Sequence, residues 1–201
     1  MERSSRQPAF EPSDPRRGSS FTVLPTPVEG VQLLQRAVHA DVRGTFSRLH
    51  CTDEYESLGL SGFISPAQMN LSLTQEPGTV RGMHLLRGPA EEHKLVTCLS
   101  GRIHDVVVDL RANSPTFMAS FAVELDGAGN LSVVIPPGVA HGFQALEPQS
   151  LVLYLHSERY QAELDAGVRA DDSALGLEWP LPITLVSPRD QALPLAADYL
   201  G

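Results

Sequence analysis

Basic charge is scarce in this 201-residue chain: Lys and Arg number 15 against 24 Asp and Glu, a formal net charge of −9 at pH 7. That balance excludes a general binder of nucleic acid or of anionic membrane, either of which needs a basic surplus. It leaves room for an anionic small ligand, because a few local Arg and Lys side chains make a positive pocket in an acidic protein. Cysteine is scarcer still. Cys51 and Cys98 are too few for a disulfide framework and lack C-x-x-C spacing, so they read as free thiols in a reducing cytosol. No apolar run approaches the ~18 residues of a membrane span. Met1 to Ser20 is polar and lacks the apolar centre of a secretory signal. A soluble cytoplasmic protein is the expectation.

Glycine and proline, 16 of each, are in excess. Average usage of roughly 7% and 5% would give about 24 together. The surplus favours a turn-rich β fold and counts against a helical bundle. At 42% hydrophobic, the chain buries enough for one domain without disulfides or metal. Residues 1–27, rich in Ser, Pro and Arg and without a sustained period, read as a flexible N-terminal extension ahead of a single domain over 28–201.

Thr52 to Leu60 suits one short helix, with Thr52 or Asp53 as N-cap and Gly59 near its end. From Lys94 onward strands and turns alternate at short intervals. Leu95–Leu99 stops at Ser100-Gly101, and Ile103–Leu110 is nearly continuous in apolar residues except for Asp105 and Asp109. Phe117–Leu125 alternates, and Leu131–Ile135 and Leu151–Leu155 are further strands. Strands at this spacing without intervening helices predict an all-β antiparallel sandwich or barrel, of which a jelly roll is one form, with a few short helices.

Four polar clusters fall at strand edges. Gln68, Asn70 and Ser72 share one face of a strand, which is either the wall of a cavity or a solvated edge. Arg81-Gly-Met-His84 is followed by Lys94; Arg81 and Lys94 suit phosphate, and His84 suits acid–base work near neutral pH or a structural place. Pro136-Pro-Gly-Val-Ala-His141 places a His after a tight turn, a run similar to the second motif of cupin barrels. Tyr154 lies in an apolar strand, where a core tyrosine needs a hydroxyl partner, and Asp190 lies in Ser187-Pro-Arg-Asp190.

Taken in order, these residues resemble the dTDP-4-dehydrorhamnose 3,5-epimerase family. The pattern runs from about Val31 to Leu195. It comprises Asp41-x-Arg-Gly-x-Phe46, Gln68-x-Asn-x-Ser72, Arg81-Gly-Met-His84, Lys94-Leu-Val and Asp105-Val-Val-Val-Asp-Leu-Arg-x-x-Ser-Pro-Thr-Phe117. Ile135-Pro-x-Gly-x-Ala-His-Gly-Phe143, Tyr154, Gly176-Leu-Glu-Trp-Pro180 and Ser187-Pro-Arg-Asp190 complete it.

The resemblance implies a cupin-type jelly roll that epimerises a dTDP-4-keto-6-deoxyhexose at C3, C5 or both, in deoxysugar biosynthesis. Both carbons flank the ketone, so their protons are acidic and loss of either leaves an enolate on O4. On the family pattern His84 is the base, Asp190 the carboxylate that orients it, Tyr154 the proton donor on the other face and Lys94 the cation for the oxyanion. Arg43, Gln68, Asn70, Arg81, His141, Asp165 and Arg189 fall at substrate-binding positions. No cofactor or metal is implied, and neither nucleic acid nor membrane is a partner. The family pattern also implies a homodimer in which Arg43 serves the neighbouring subunit.

Three residues depart from the pattern: Arg48 where Glu is usual, Leu86 where Gln is usual, and Arg189 for a common Lys. They leave a 3-only or 5-only epimerase of a specialised pathway open. A metal-dependent cupin oxygenase would need a His-x-His pair, and Leu86 breaks it. A non-catalytic sugar-binding barrel is opposed by the retention of His84, Asp190, Tyr154 and Lys94.

Overall fold

A computed structural model describes residues 19–63, 65–88 and 92–200 of the chain. Strands dominate them: β1 (Phe21–Pro25), β2 (Gln32–Arg36), β3 (Val38–Asp41), β4 (Gly44–Ser47), β5 (Gln68–Thr74), β6 (Thr79–Leu86) and β7 (Lys94–Ser100). β8 (Arg102–Asp109), β9 (Ser120–Asp126), β10 (Leu131–Ile135), β11 (Val139–Ala145), β12 (Ser150–His156), β13 (Asp165–Gly167) and β14 (Leu185–Val186) follow. Three short helices, α1 (Thr52–Ser57), α2 (Pro188–Gln191) and α3 (Ala196–Leu200), complete the named elements.

One sheet runs β1-β2-β10-β7-β12-β5; the other runs β13-β6-β11-β8-β9, with β14 parallel to β6. The remaining pairs are antiparallel, and β3–β4 is a separate hairpin. This is the all-β jelly-roll sandwich with few helices that the turn-rich sequence predicts. Side chains alternate across each strand, so the inner faces of both sheets meet in a core of Val96, Cys98, Val133 and Val152 against Ile103, Val107, Leu125 and Phe143. Val80, Met83, Val106 and Val108 point the other way, beneath Val168, Leu175 and Ala196 of the C-terminal segment. Tyr55, Leu60 and Phe63 cover the outer face of the first sheet against Leu95, Val134 and Leu155.

The boundary expected at residue 27 moves. Residues 1–18 lie outside the described residues, but Phe21–Pro25 is already a strand, paired along its length with β2, and Phe21 is buried. Its five residues alternate too briefly, between Ser-rich and Pro-containing flanks, to stand out as a strand. The helix begins at the expected place, but Cys51 is its N-cap and contributes no side-chain bond. The strand read from Phe117 begins at Ser120, because Asp109 gathers the preceding turn. Its carboxylate accepts bonds from Arg111, Ser114 and Thr116, and Met118 turns through a φ of 64°.

Where β6 crosses β11 the backbones come unusually close. Gly82 has a φ of 120°, and a Cβ there would lie 2.5 Å from Gly142 Cα. The β6–β11 register shifts between His141 and Phe143 at the same place. This irregularity aims His84 and His141, directly opposite each other in the ladder, toward the space between the sheets.

Burial alone would raise the Asp109 carboxyl, but the bonds from Arg111, Ser114 and Thr116 reverse this and push it down to about 2. A carboxylate depressed in the folded state adds stability above its unfolded pKa and loses it as pH falls. Asp109→Asn is therefore expected to cost roughly 2 kcal/mol at pH 7. The gap should narrow to about half near pH 3. Urea unfolding of both proteins at the two pH values checks this; a gap independent of pH would refute it.

Candidate active site

The inner faces change character along their length. On β12 the inward side chains run Val152, Tyr154, His156; on β7 they run Cys98, Val96, Lys94. The apolar ends close the core, and the polar ends line a cavity of about 740 Å³. β5 extends this wall. Met69 points outward, 63% exposed, while Asn70 and Ser72 line the cavity, with Leu71 at its rim. Of the two readings the sequence left open for this strand, the cavity wall is the observed one. β6 and β11 supply the opposite wall through Arg81, His84 and His141, and Asp165, Arg189 and Asp190 close one side.

Asp190 arrives from 106 residues away. β14 pairs with Thr79 and Val80 of β6, Ser187 caps α2 by accepting the Asp190 N–H, and Pro188 stands at the first helical positions. The carboxylate then accepts from His84 Nε2 at 2.7 Å and from the Gly82 amide at 3.2 Å. Burial pushes the Asp190 carboxyl up. The His84 bond and charge, the Gly82 amide and Arg189 together outweigh it, and the group ends below its ordinary value as a carboxylate at neutral pH. A second such pair lies behind it: His141 Nε2 meets Asp105 Oδ2 at 2.7 Å, both groups buried.

On the facing wall, the Tyr154 phenol is held well above its ordinary value, chiefly by burial and further by the charge of Asp105, with Arg81 opposing. It is a neutral donor across the physiological range. Its ring meets His141 edge-on and lies nearly parallel to His156, with centroids 5.9 Å apart in each case. Lys94 forms a 2.7 Å ion pair with Glu92, whose other oxygen meets His156 Nδ1 at 2.8 Å. An imidazole–carboxylate pair therefore faces a phenol and an ammonium across one cavity. Such an arrangement can take a proton from one side of a bound molecule, return one to the other side, and stabilise negative charge between.

Nine of the eleven residues expected in the site line the cavity: His84, Asp190, Tyr154, Lys94, Asn70, Arg81, His141, Asp165 and Arg189. Gln68 shares the β5 face, but its carbonyl oxygen accepts the Tyr160 N–H and it holds that loop rather than lining the cavity. Arg43 lies on the exposed β3–β4 hairpin, its side chain 86% exposed and paired with Asp41. Arg48, expected at a binding position, instead pairs with Glu54 beside α1. Leu86 is a buried part of the cavity wall. Four site residues went unassigned: Asp105, Glu92, His156 and Tyr160. Asp105 was visible as a charge interrupting an apolar strand, and His156 as the residue two after Tyr154 on the same face. Glu92 had no periodic signal in the polar stretch before Lys94.

Residues 25–198 match the dTDP-4-dehydrorhamnose 3,5-epimerase family. The chain is 37% identical over 175 residues to a dTDP-4-dehydrorhamnose 3-epimerase of Streptomyces niveus, covering 87% of this chain and 83% of that one. It is also 37% identical over 179 residues to a dTDP-4-dehydrorhamnose 3,5-epimerase of Streptomyces griseus, covering 87% and 86%. Among solved structures, a 4-keto-6-deoxy sugar epimerase from the novobiocin biosynthetic gene cluster of Streptomyces spheroides superposes with a TM-score of 0.82 at 37% identity, over 90% of each chain. With this overlap in sequence and in fold, the chain belongs to the dTDP-4-dehydrorhamnose 3,5-epimerase family.

Proposed function

We propose that the protein is a cofactor-independent epimerase of a dTDP-4-keto-6-deoxyhexose, with chemistry at C3 and C5. The observation that carries the reading is the His84–Asp190 pair on one wall of a cavity whose other wall presents Tyr154 and Lys94. His84 takes the proton from the carbon next to the ketone, and the C–H electrons move onto O4. Asp190, ionised at neutral pH, holds the imidazole in one tautomer and supports the imidazolium that forms. Lys94 faces the enolate oxygen. Tyr154 delivers a proton to the opposite face of the same carbon, the ketone re-forms, and exchange with water restores the phenol and the neutral imidazole. Arg81 and Arg189 offer charge to the diphosphate end, with Asn70, His141 and Asp165 as hydrogen-bonding partners for the substrate.

The same reading makes the working unit a homodimer in the cytoplasm, with Arg43 completing the partner's cavity. It is supported by the exposure of Arg43 on a hairpin that also carries Val42 and Phe46, and by the exposed Met69 and Leu71 of the edge strand β5.

Two equally similar relatives differ in whether their names include C5, so the site of exchange is the deciding measurement. In D2O, dTDP-4-keto-6-deoxyglucose should gain deuterium at both C3 and C5, read by NMR. Label at one carbon makes the enzyme a mono-epimerase, and label at neither overturns the reading. His84→Asn and Asp190→Asn are expected to lower kcat by roughly two to four orders of magnitude with KM little changed. An effect confined to KM would remove both from the chemistry. For the dimer, mixing Arg43→Ala with His84→Ala chains should restore about a quarter of wild-type activity, since half the dimers are mixed and hold one intact cavity. A monomer in sedimentation, or no restoration, would refute the sharing of Arg43.

A further inference from the structure

Glu92 and His156 lie in the cavity wall outside the roles described so far. Both are largely buried: their side chains are 6% and 12% exposed. They are built into the sheet rather than hung from it. His156 and Lys94 are register partners across β12 and β7, and Tyr154 lies two residues from His156 on the same inward face. One carboxylate spans the two strands, with one oxygen on the Lys94 ammonium and the other on His156 Nδ1. The far nitrogen of that imidazole, Nε2, lies 3.3 Å from Asn70 Nδ2 on β5, and Asn70 is itself the register partner of Tyr154. The His156 ring is stacked on Tyr154 at an interplanar angle of 19°.

Burial works against a charged Glu92. The bond from His156 and the charge of Lys94 overcome it, and the carboxyl ends below its ordinary value. A buried carboxylate that satisfies a cation with one oxygen and an imidazole with the other fixes both side chains at once. Lys94 and the His156 ring are thus held relative to each other, and Tyr154 is held against that ring.

We propose that Glu92 is a positioning residue that, through His156, locks the cation at the enolate oxygen and the phenol at the reprotonated carbon into one geometry. This rests on the epimerase reading above. Its consequence concerns how the enolate is resolved. Once His84 has taken the proton, the enolate returns to substrate by recapture from His84 or goes on to product by delivery from Tyr154. His84 is 30% exposed and so open to proton exchange with solvent, and recapture in D2O would leave deuterium in unepimerised substrate. Holding Tyr154 in place favours delivery; loosening it favours recapture.

The test is Glu92→Ala with dTDP-4-keto-6-deoxyglucose in D2O, following deuterium in recovered substrate against epimer formed. The ratio of exchange to inversion should rise about fivefold or more, and kcat should fall between about tenfold and a hundredfold with KM changed less than about threefold. Glu92→Gln keeps one accepting oxygen for Lys94 and replaces the other with an N–H2 donor, which His156 Nδ1 accepts only in its other tautomer, so it should restore part of the wild-type ratio. His156→Ala leaves the Glu92–Lys94 pair intact and should raise the ratio by itself, which keeps the test decisive if Glu92→Ala does not fold. An unchanged ratio in folded Glu92→Ala and His156→Ala overturns the inference while leaving the epimerase reading standing. Wild-type protein that neither exchanges nor inverts this substrate overturns that reading, and the inference with it.

Discussion

The 2.7 Å contact between His84 and Asp190 joins residues 106 positions apart in the chain, and much of the architecture serves to make it possible. An imidazole beside a carboxylate is useful only if both are held, because a mobile pair spends its interaction energy on ordering itself. Here β14 runs parallel to β6, and Ser187 and Pro188 start a single helical turn that delivers Asp190 to the Gly82 amide. The close crossing of Gly82 and Gly142 brings the other half into line. The C-terminal segment that covers Val106 and Val108 is the same segment that carries the carboxylate, so the outer layer and the site depend on one stretch of chain.

The cavity is an unfilled half of the sandwich core. A jelly roll of this size can pack both ends of its interior with aliphatic side chains, as Val96, Val107 and Val152 do at one end. At the other end the inward positions are taken by Lys94, Tyr154, His156, Asn70, Arg81 and His84, and the space between them stays open. The buried members of this wall, among them Lys94, Glu92, His141 and Asp190, need partners inside the protein. The result is a set of short pairings that also tune chemistry: Asp190 and Glu92 are kept ionised by their partners, while burial keeps Tyr154 a neutral phenol. Three basic groups of this acidic protein, Arg81, Lys94 and Arg189, line that cavity.

How much of this was legible depends on whether the signal was local. The alternation Gln68-x-Asn-x-Ser72 decided which side chains share a face, and outward Met69 decided that the face is a cavity wall. The first of these is written in the sequence; the second depends on what lies behind the strand. The Gly138 turn before His141 is likewise local and sits where expected, and the Ser187-Pro188 cap before Asp190 is equally local. Gln68 lies on the right face, yet it is engaged with the Tyr160 backbone, a contact set by a loop 92 residues away. Arg48 is claimed by Glu54 in the following helix, which no spacing rule singles out. Glu92 was invisible for a related reason: its partners Lys94 and His156 meet only because β7 and β12 are neighbours in the sheet. β1 was missed because five residues give too short a run of alternation to outweigh the Ser and Pro around them.

The dyad, the phenol and the ammonium do not by themselves choose between C3 and C5. Both carbons flank the ketone, so one position for the O4 charge serves either, and the choice falls to whatever orients the sugar ring against His84. Leu86 lies two residues from His84 on β6, buried in the cavity wall and directly opposite Asp165 on β13. An aliphatic side chain there offers no hydrogen bond to a sugar hydroxyl, so polar orientation on that side rests with Asp165 and the two groups that hold it, Tyr160 and Arg189. Asp165 accepts from both. Of the three departures from the family pattern, Leu86 and Arg189 line the cavity beside His84, whereas Arg48 pairs with Glu54 and does not line it.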